Sequence, residues 1–139
     1  MADLIRFGVS IPEDLLDKFD ALISEQGYTN RSEAIRDLIR DRLVGDHWTE
    51  LEHEVVGTVT VVYDHEQSDL AQKLTQIQHQ QHDLIVSSVH VHLDHHNCLE
   101  VLIMRGTAGD VKKTGDKLIA TRGVKHGKIT MTTTGTGID

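Results

Sequence analysis

The first forty-four residues constrain the fold most, because they cannot close a core of their own. "LIRFGVSI", residues 4–11, alternates: Ile5, Phe7, Val9 and Ile11 point one way, and Arg6, Gly8 and Ser10 the other. That is the pattern of a half-buried strand. Pro12 suits the first position of a helix, with Glu13 and Asp14 in its first turn. Leu15, Leu16, Phe19, Leu22 and Ile23 recur at helical spacing, and Gly27 stops that helix. Asn30 is placed to cap a second helix, with Glu33 completing a capping box. Ile35, Leu38, Ile39 and Leu43 form its expected buried stripe. Residues 4–44 therefore read strand–helix–helix. A lone strand leaves its backbone unpaired, and about forty residues rarely fold alone. The economical solution is a two-fold dimer whose strands pair as an antiparallel ribbon.

The outward face of that ribbon shows Arg6, Gly8 and Ser10 from each chain. A two-stranded ribbon fits the major groove of B-DNA, where arginine and serine read base edges. The start of the second helix, with Arg31, Ser32 and Arg36, offers N–H groups and charge to a phosphate. This stretch resembles the ribbon-helix-helix family of repressors over most of residues 4–44. Gly8 departs from that family, since a hydrogen-bonding side chain is expected at a central reading position. Charge does not drive the interaction. Residues 1–44 hold six Lys/Arg and nine Asp/Glu, so this half carries −3 of the chain's −8. DNA contact must come from the local placement of its arginines. The acidity also predicts weak DNA binding by the metal-free protein.

Residues 46–54, "DHWTELEHE", are polar and read as a hinge. Three segments are expected: 1–46 for dimerisation and DNA binding, a linker at 47–54, and a second domain at 55–139. Within the last, "VVGTVTVVYD" reads as strand, "SDLAQKLTQIQHQQH" as helix, and "LIVSSVHVHLD" and "CLEVLIMRG" as strands. "GDVKKTGDKLIATRG" then reads as helix and "KITMTTT" as strand. The order βαββαβ is that of a ferredoxin-like domain, and the fold class is α+β. Such a sheet leaves one face open, through which sensing domains pair.

"SSVHVHLDHHNC", residues 87–98, holds the chain's single cysteine. Residues two apart on a strand face the same side, so His90 and His92 stand together. Val89, Val91 and Leu93 face the other way, into apolar packing. "DHHN" forms a turn, and Cys98 returns on the next strand, close to both imidazoles. One sulfur and two nitrogens make a chelate that suits zinc, copper or nickel rather than magnesium or calcium. A further imidazole from a second copy, His79 or His82 of "QHQQHD", would complete four ligands. Glu100, on the same strand face as Cys98, either orients a ligand imidazole or is an exposed carboxylate. His95 and His96 read as turn residues near the site rather than ligands, His65 and His126 as solvated histidines or else members of secondary metal sites, and Trp48 and Tyr63 as packing residues.

Nearly the whole chain resembles the nickel-responsive transcriptional regulators, on "GYTNRSEAIRDLIR", "YDHE", "HDL", "HVHLDHHNC", "GDV" and "GVKHG". The resemblance implies a homotetramer, two DNA-binding dimers flanking a core of four regulatory domains. It implies one square-planar Ni2+ per subunit, held by His90, His92 and Cys98 of one chain and His79 of a neighbour. It implies a second, weaker cation site at Glu33 and Asp37, one helical turn apart. It also implies repression of nickel-uptake or metal-homeostasis genes through palindromic operator DNA. "EQSD" at 66–69 lacks the basic residues that would reach a DNA backbone from the regulatory domain.

Other classes fit less well. A zinc enzyme with an open three-ligand site needs a general base and a vacant coordination position. The chain has no nucleophile motif, HExxH or phosphate loop. A metal buffer or an antitoxin-like dimer would use the strand–helix–helix unit only to associate. One cysteine excludes an internal disulfide framework and fits a cytoplasmic location. No apolar run is long enough for a membrane span, and no signal-peptide pattern is present.

Overall fold

The computed structural model describes residues 3–139. Two compact units divide between Leu43 and Val44, and Gly137–Asp139 group with the first. In the first unit, helix α1 spans Glu13–Glu25 and helix α2 begins at Arg31. α1 ends in a Schellman arrangement: Gly27 takes φ +90°, Tyr28 N–H donates to Ile23 O, and Gly27 N–H donates to Ser24 O. Asn30 Oδ1 accepts from Glu33 N–H at 2.9 Å, the expected N-cap.

Two features of this unit are those of one chain alone. Residues 4–11 form no strand, because one chain offers the segment no second strand to pair with. The apolar stripes are not buried either. Phe7 is 70% exposed, and Leu15, Leu22, Leu38, Ile39 and Leu43 are also exposed. Only Ile23 and Ala34 are buried among the described residues of the two helices. About forty residues have too little interior to cover both helices.

α2 runs through Gly45 to His47, past the expected boundary at 46. Residues 48–53 of the expected linker form turns and bends. Trp48 is 2% exposed, and its Nε1–H donates to Thr132 O at 2.9 Å, so its packing role holds.

The second unit has the expected βαββαβ order. It comprises β1 (Glu54–Asp64), α3 (Leu70–Gln80), β2 (Ile85–His92), β3 (Asn97–Thr107), α4 (Ala108–Ile119) and β4 (Val124–Thr132). The sheet order is β2-β3-β1-β4, antiparallel throughout. Burial along β1 alternates strictly: Val55, Gly57, Val59, Val61 and Tyr63 face inward. Their β3 neighbours Cys98, Glu100, Leu102 and Met104 share that face. Leu70 and Ile77 from α3, and Val111 and Leu118 from α4, complete the core.

The opposite face of the sheet is open. Val89, Val91 and Leu93 were expected in apolar packing, yet each is exposed. Both helices pack on the other face, so these side chains, with Leu99 and Val101 across the ladder, form an uncovered apolar surface.

Candidate metal centre

The β2–β3 hairpin assembles the site by register. His92 lies opposite Cys98, and His90 opposite Glu100. All four side chains therefore sit on the core-side face at one end of the sheet. The turn between the strands is fixed by Asp94. Its carboxylate accepts from His96 N–H and Asn97 N–H at 2.8 Å each, and from Asn97 Nδ2 at 2.9 Å. Those donors hold the Asp94 carboxyl at about 2. His95 and His96 are exposed turn residues, as expected.

Potential ligand atoms of His90, His92 and Cys98 lie within 4.8 Å of one another. Cys98 Sγ stands 3.3 Å from His92 Nδ1, and the rings of His90 and His92 meet edge-on at 4.8 Å. Cys98 is fully buried while both histidines are exposed, so the thiol forms the floor of an open cluster. Burial pushes the Cys98 thiol up, and the carboxylates of Glu100, Asp94 and Asp64 add to the shift. One soft thiol and two imidazoles on a hairpin fit a borderline transition metal.

Glu100 is buried at 6% exposure, which rules out the exposed-carboxylate reading. Its Oε2 accepts from His90 Nδ1–H at 2.7 Å. A carboxylate only accepts, so the bond places the proton on Nδ1 and frees Nε2 as a ligand. Tyr63, read from sequence as a packing residue, also belongs to this network. Its hydroxyl lies 3.0 Å from His90 Nδ1 and 3.4 Å from Glu100 Oε2. Burial raises the Tyr63 pKa to about 12, with Glu100 and Cys98 contributing, so the hydroxyl stays a donor. The signal for Tyr63 is its cross-strand register with Cys98, which appears only once β1 is paired with β3.

The remaining site residues lie elsewhere. His79 occupies the exposed last turn of α3, and His82 the exposed segment beyond it; neither joins the cluster within one chain. The His65 ring meets that of His92 edge-on at 6.1 Å. Glu33 is exposed in the first turn of α2, while Asp37 accepts from Tyr28 Oη–H and, at 3.4 Å, from Arg40. Arg6, Gly8, Ser10, Ser32 and Arg36 are exposed. Arg31 is engaged: its Nε and terminal N–H donate to Asp20 at 2.9 and 2.7 Å.

Two helices followed by a ferredoxin-like domain that carries a His–His–Cys cluster are the parts expected of a metal-responsive DNA-binding regulator. Residues 5–44 match the family described as "Ribbon-helix-helix protein, copG family". Residues 56–132 match "NikR C terminal nickel binding domain". The chain is 62% identical over 135 residues to a protein of Geobacter sulfurreducens named "Putative nickel-responsive regulator", covering 97% of each. Proteins of the same name from Solibacter usitatus (62%, 97% of each chain) and Pyrococcus furiosus (56%, 97% and 98%) are similarly related. The chain belongs to the nickel-responsive regulator family. It is a nickel-binding, DNA-binding transcriptional regulator rather than an enzyme. Among the described residues, no helix is long and apolar enough to cross a membrane.

Proposed function

We propose that this protein is a cytoplasmic, nickel-dependent repressor of nickel-uptake or related metal-homeostasis genes. His90, His92 and Cys98 of one chain, with His79 of another copy, hold one nickel ion per subunit. Nickel so held favours the arrangement in which paired N-terminal arms reach a palindromic operator. The observation that carries this reading is the preassembled Sγ–imidazole cluster, whose ligand atoms lie within 4.8 Å. A thiolate and imidazoles select nickel, copper or zinc over hard cations, and the family supplies nickel as the choice. Glu100 and Tyr63 hold the His90 ring from behind.

The assembly is a homotetramer. The apolar face of the sheet supports a contact between regulatory domains, and the exposed apolar side of residues 4–11 supports a second, between arms. Arg6, Gly8 and Ser10 then face base edges, and Arg31, Ser32 and Arg36 face phosphates. Arg31 leaves Asp20 when it takes a phosphate; both side chains are solvent-accessible, so the exchange is inexpensive. Glu33 and Asp37 hold a second, weaker cation. Metal acts only through its preference for the DNA-competent arrangement, and a tenfold shift needs about 1.4 kcal/mol of differential affinity.

The test is a gel-shift titration of full-length protein on its operator at physiological salt, with and without nickel. Nickel tightens binding in the wild type and has no effect on Cys98→Ala, which still forms the oligomer. Equal operator affinity with and without nickel in the wild type overturns the reading.

A further inference from the structure

A second pair of histidines, outside the hairpin, stands in a setting that the centre above does not use. His47 ends α2, and His53 follows six residues later, just before β1. Their rings stack with centroids 4.1 Å apart and planes 21° apart. Glu50 lies midway between them in sequence, its Oε2 3.6 Å from His53 Nδ1. The backbone explains the convergence. Glu50 N–H donates to His47 O at 3.3 Å, and His53 N–H donates to Glu50 O at 2.9 Å. Both bonds span three residues, and in such tight turns side chains three apart eclipse one another.

The scaffold beneath the pair is fixed. Trp48 is buried, and its carbonyl accepts from Lys112 Nζ at 2.7 Å. The first two N–H groups of α4 are taken up by the same segment: Ala108 N–H donates to His53 O at 2.8 Å, and Gly109 N–H to Leu51 O at 2.9 Å. The turn carrying both rings is thus pinned to the regulatory domain at three carbonyls, while the rings themselves remain part-exposed.

We propose that His47 and His53, with Glu50 beside them, form a second site for a divalent transition metal in this protein. Two imidazole nitrogens about 2.1 Å from one ion stand about 3–4 Å apart, and the ring centroids, 4.1 Å apart, place the two imidazoles side by side. Turning the rings edge-on about their side-chain torsions brings one nitrogen of each to a shared ion. The carboxylate and water fill the remaining positions. This nitrogen- and oxygen-rich set takes Ni2+, Cu2+ or Zn2+ and, lacking sulfur, binds more loosely than the Cys98 centre. An ion here closes a loop from the end of α2 to the start of β1 and so stiffens the turn between them.

The experiment counts nickel bound per chain by equilibrium dialysis of full-length wild type, His47→Gln and His53→Gln. Histidine ring proton signals are followed by NMR as nickel rises. Nickel held by imidazole and water is paramagnetic and broadens the rings it touches. The expected result is that His47 and His53 broaden together after the first equivalent, ahead of the other exposed histidines. Each glutamine variant then binds one ion fewer, with its sulfur-to-nickel absorption intact. The backbone carbonyls that pin the segment are unaffected by either substitution. Unchanged counts in both variants, or broadening spread evenly over all exposed histidines, overturn the proposal. Loss of the sulfur-to-nickel band in the wild type would instead strike the Cys98 centre and leave this readout independent.

Discussion

Replacing Glu100 by alanine removes the carboxylate that orients His90 and leaves only the Tyr63 hydroxyl, 3.0 Å from Nδ1. The 2.7 Å bond from His90 Nδ1–H ends on Glu100 Oε2, and the Tyr63 hydroxyl reaches the same oxygen at 3.4 Å. Without that oxygen the ring can rotate and take the other tautomer, so a nickel-binding nitrogen is no longer fixed. Groups in this supporting position are worth about 10–100-fold in metal affinity, or about 1.4–2.7 kcal/mol. The 2.7 Å charge-assisted bond at a buried carboxylate places Glu100→Ala toward the upper end. Glu100→Gln keeps an acceptor without the charge and falls between alanine and wild type. The assay is competition for nickel against a chelator of known affinity at fixed pH. Thermal unfolding of the metal-free proteins separates loss of orientation from loss of fold. A folded Glu100→Ala protein that binds nickel within twofold of wild type would refute the reasoning.

Other outcomes follow from the same geometry. Burial and neighbouring carboxylates raise the Cys98 thiol, so it is protonated at neutral pH in the metal-free protein, and nickel must displace that proton. Affinity therefore rises with pH below the thiol's pKa, with about one proton released per ion by calorimetry in buffers of different ionisation enthalpy; zero release contradicts this. Phe7→Glu places a charge on the apolar side of the arm, 70% exposed in one chain, and should abolish operator binding while nickel uptake persists. Light scattering and gel shift together would read that outcome, and unchanged operator binding would argue against arm pairing. Gly123 takes φ +87°, and an added Cβ would meet Ser68 Cα at 2.5 Å, so Gly123→Ala should cost about 1–3 kcal/mol by denaturant unfolding. An unfolding midpoint equal to wild type would contradict that packing.

Periodicity located most elements of the regulatory domain, because β1, β3, α3 and α4 each bury one face that imposes its period. The meeting of His90, His92 and Cys98 was legible for a local reason: they lie within one hairpin, where two-residue spacing and one turn decide which side chains meet. Tyr63 escaped because it reaches the same place from β1, and only the β1–β3 register puts it beside Cys98. The exposure of Val89 and Val91 escaped because alternation shows that a strand has two faces, not whether something covers each. Arg31 reads in sequence as a free cation at a helix start; its bond to Asp20 joins two helices and depends on how they cross. α2 runs past the expected end at residue 44 because helical bonding continues to Trp48, whose burial outweighs the low helix propensity of Gly45.

Anomalous diffraction at the nickel absorption edge, on crystals of the full-length protein with one equivalent of nickel, tests the central claim most directly. The account predicts one dominant peak per chain beside Cys98 Sγ, with His90 and His92 of that chain and His79 of another copy as its nitrogen ligands. A dominant peak elsewhere, with the Cys98 sulfur uncoordinated, would contradict it.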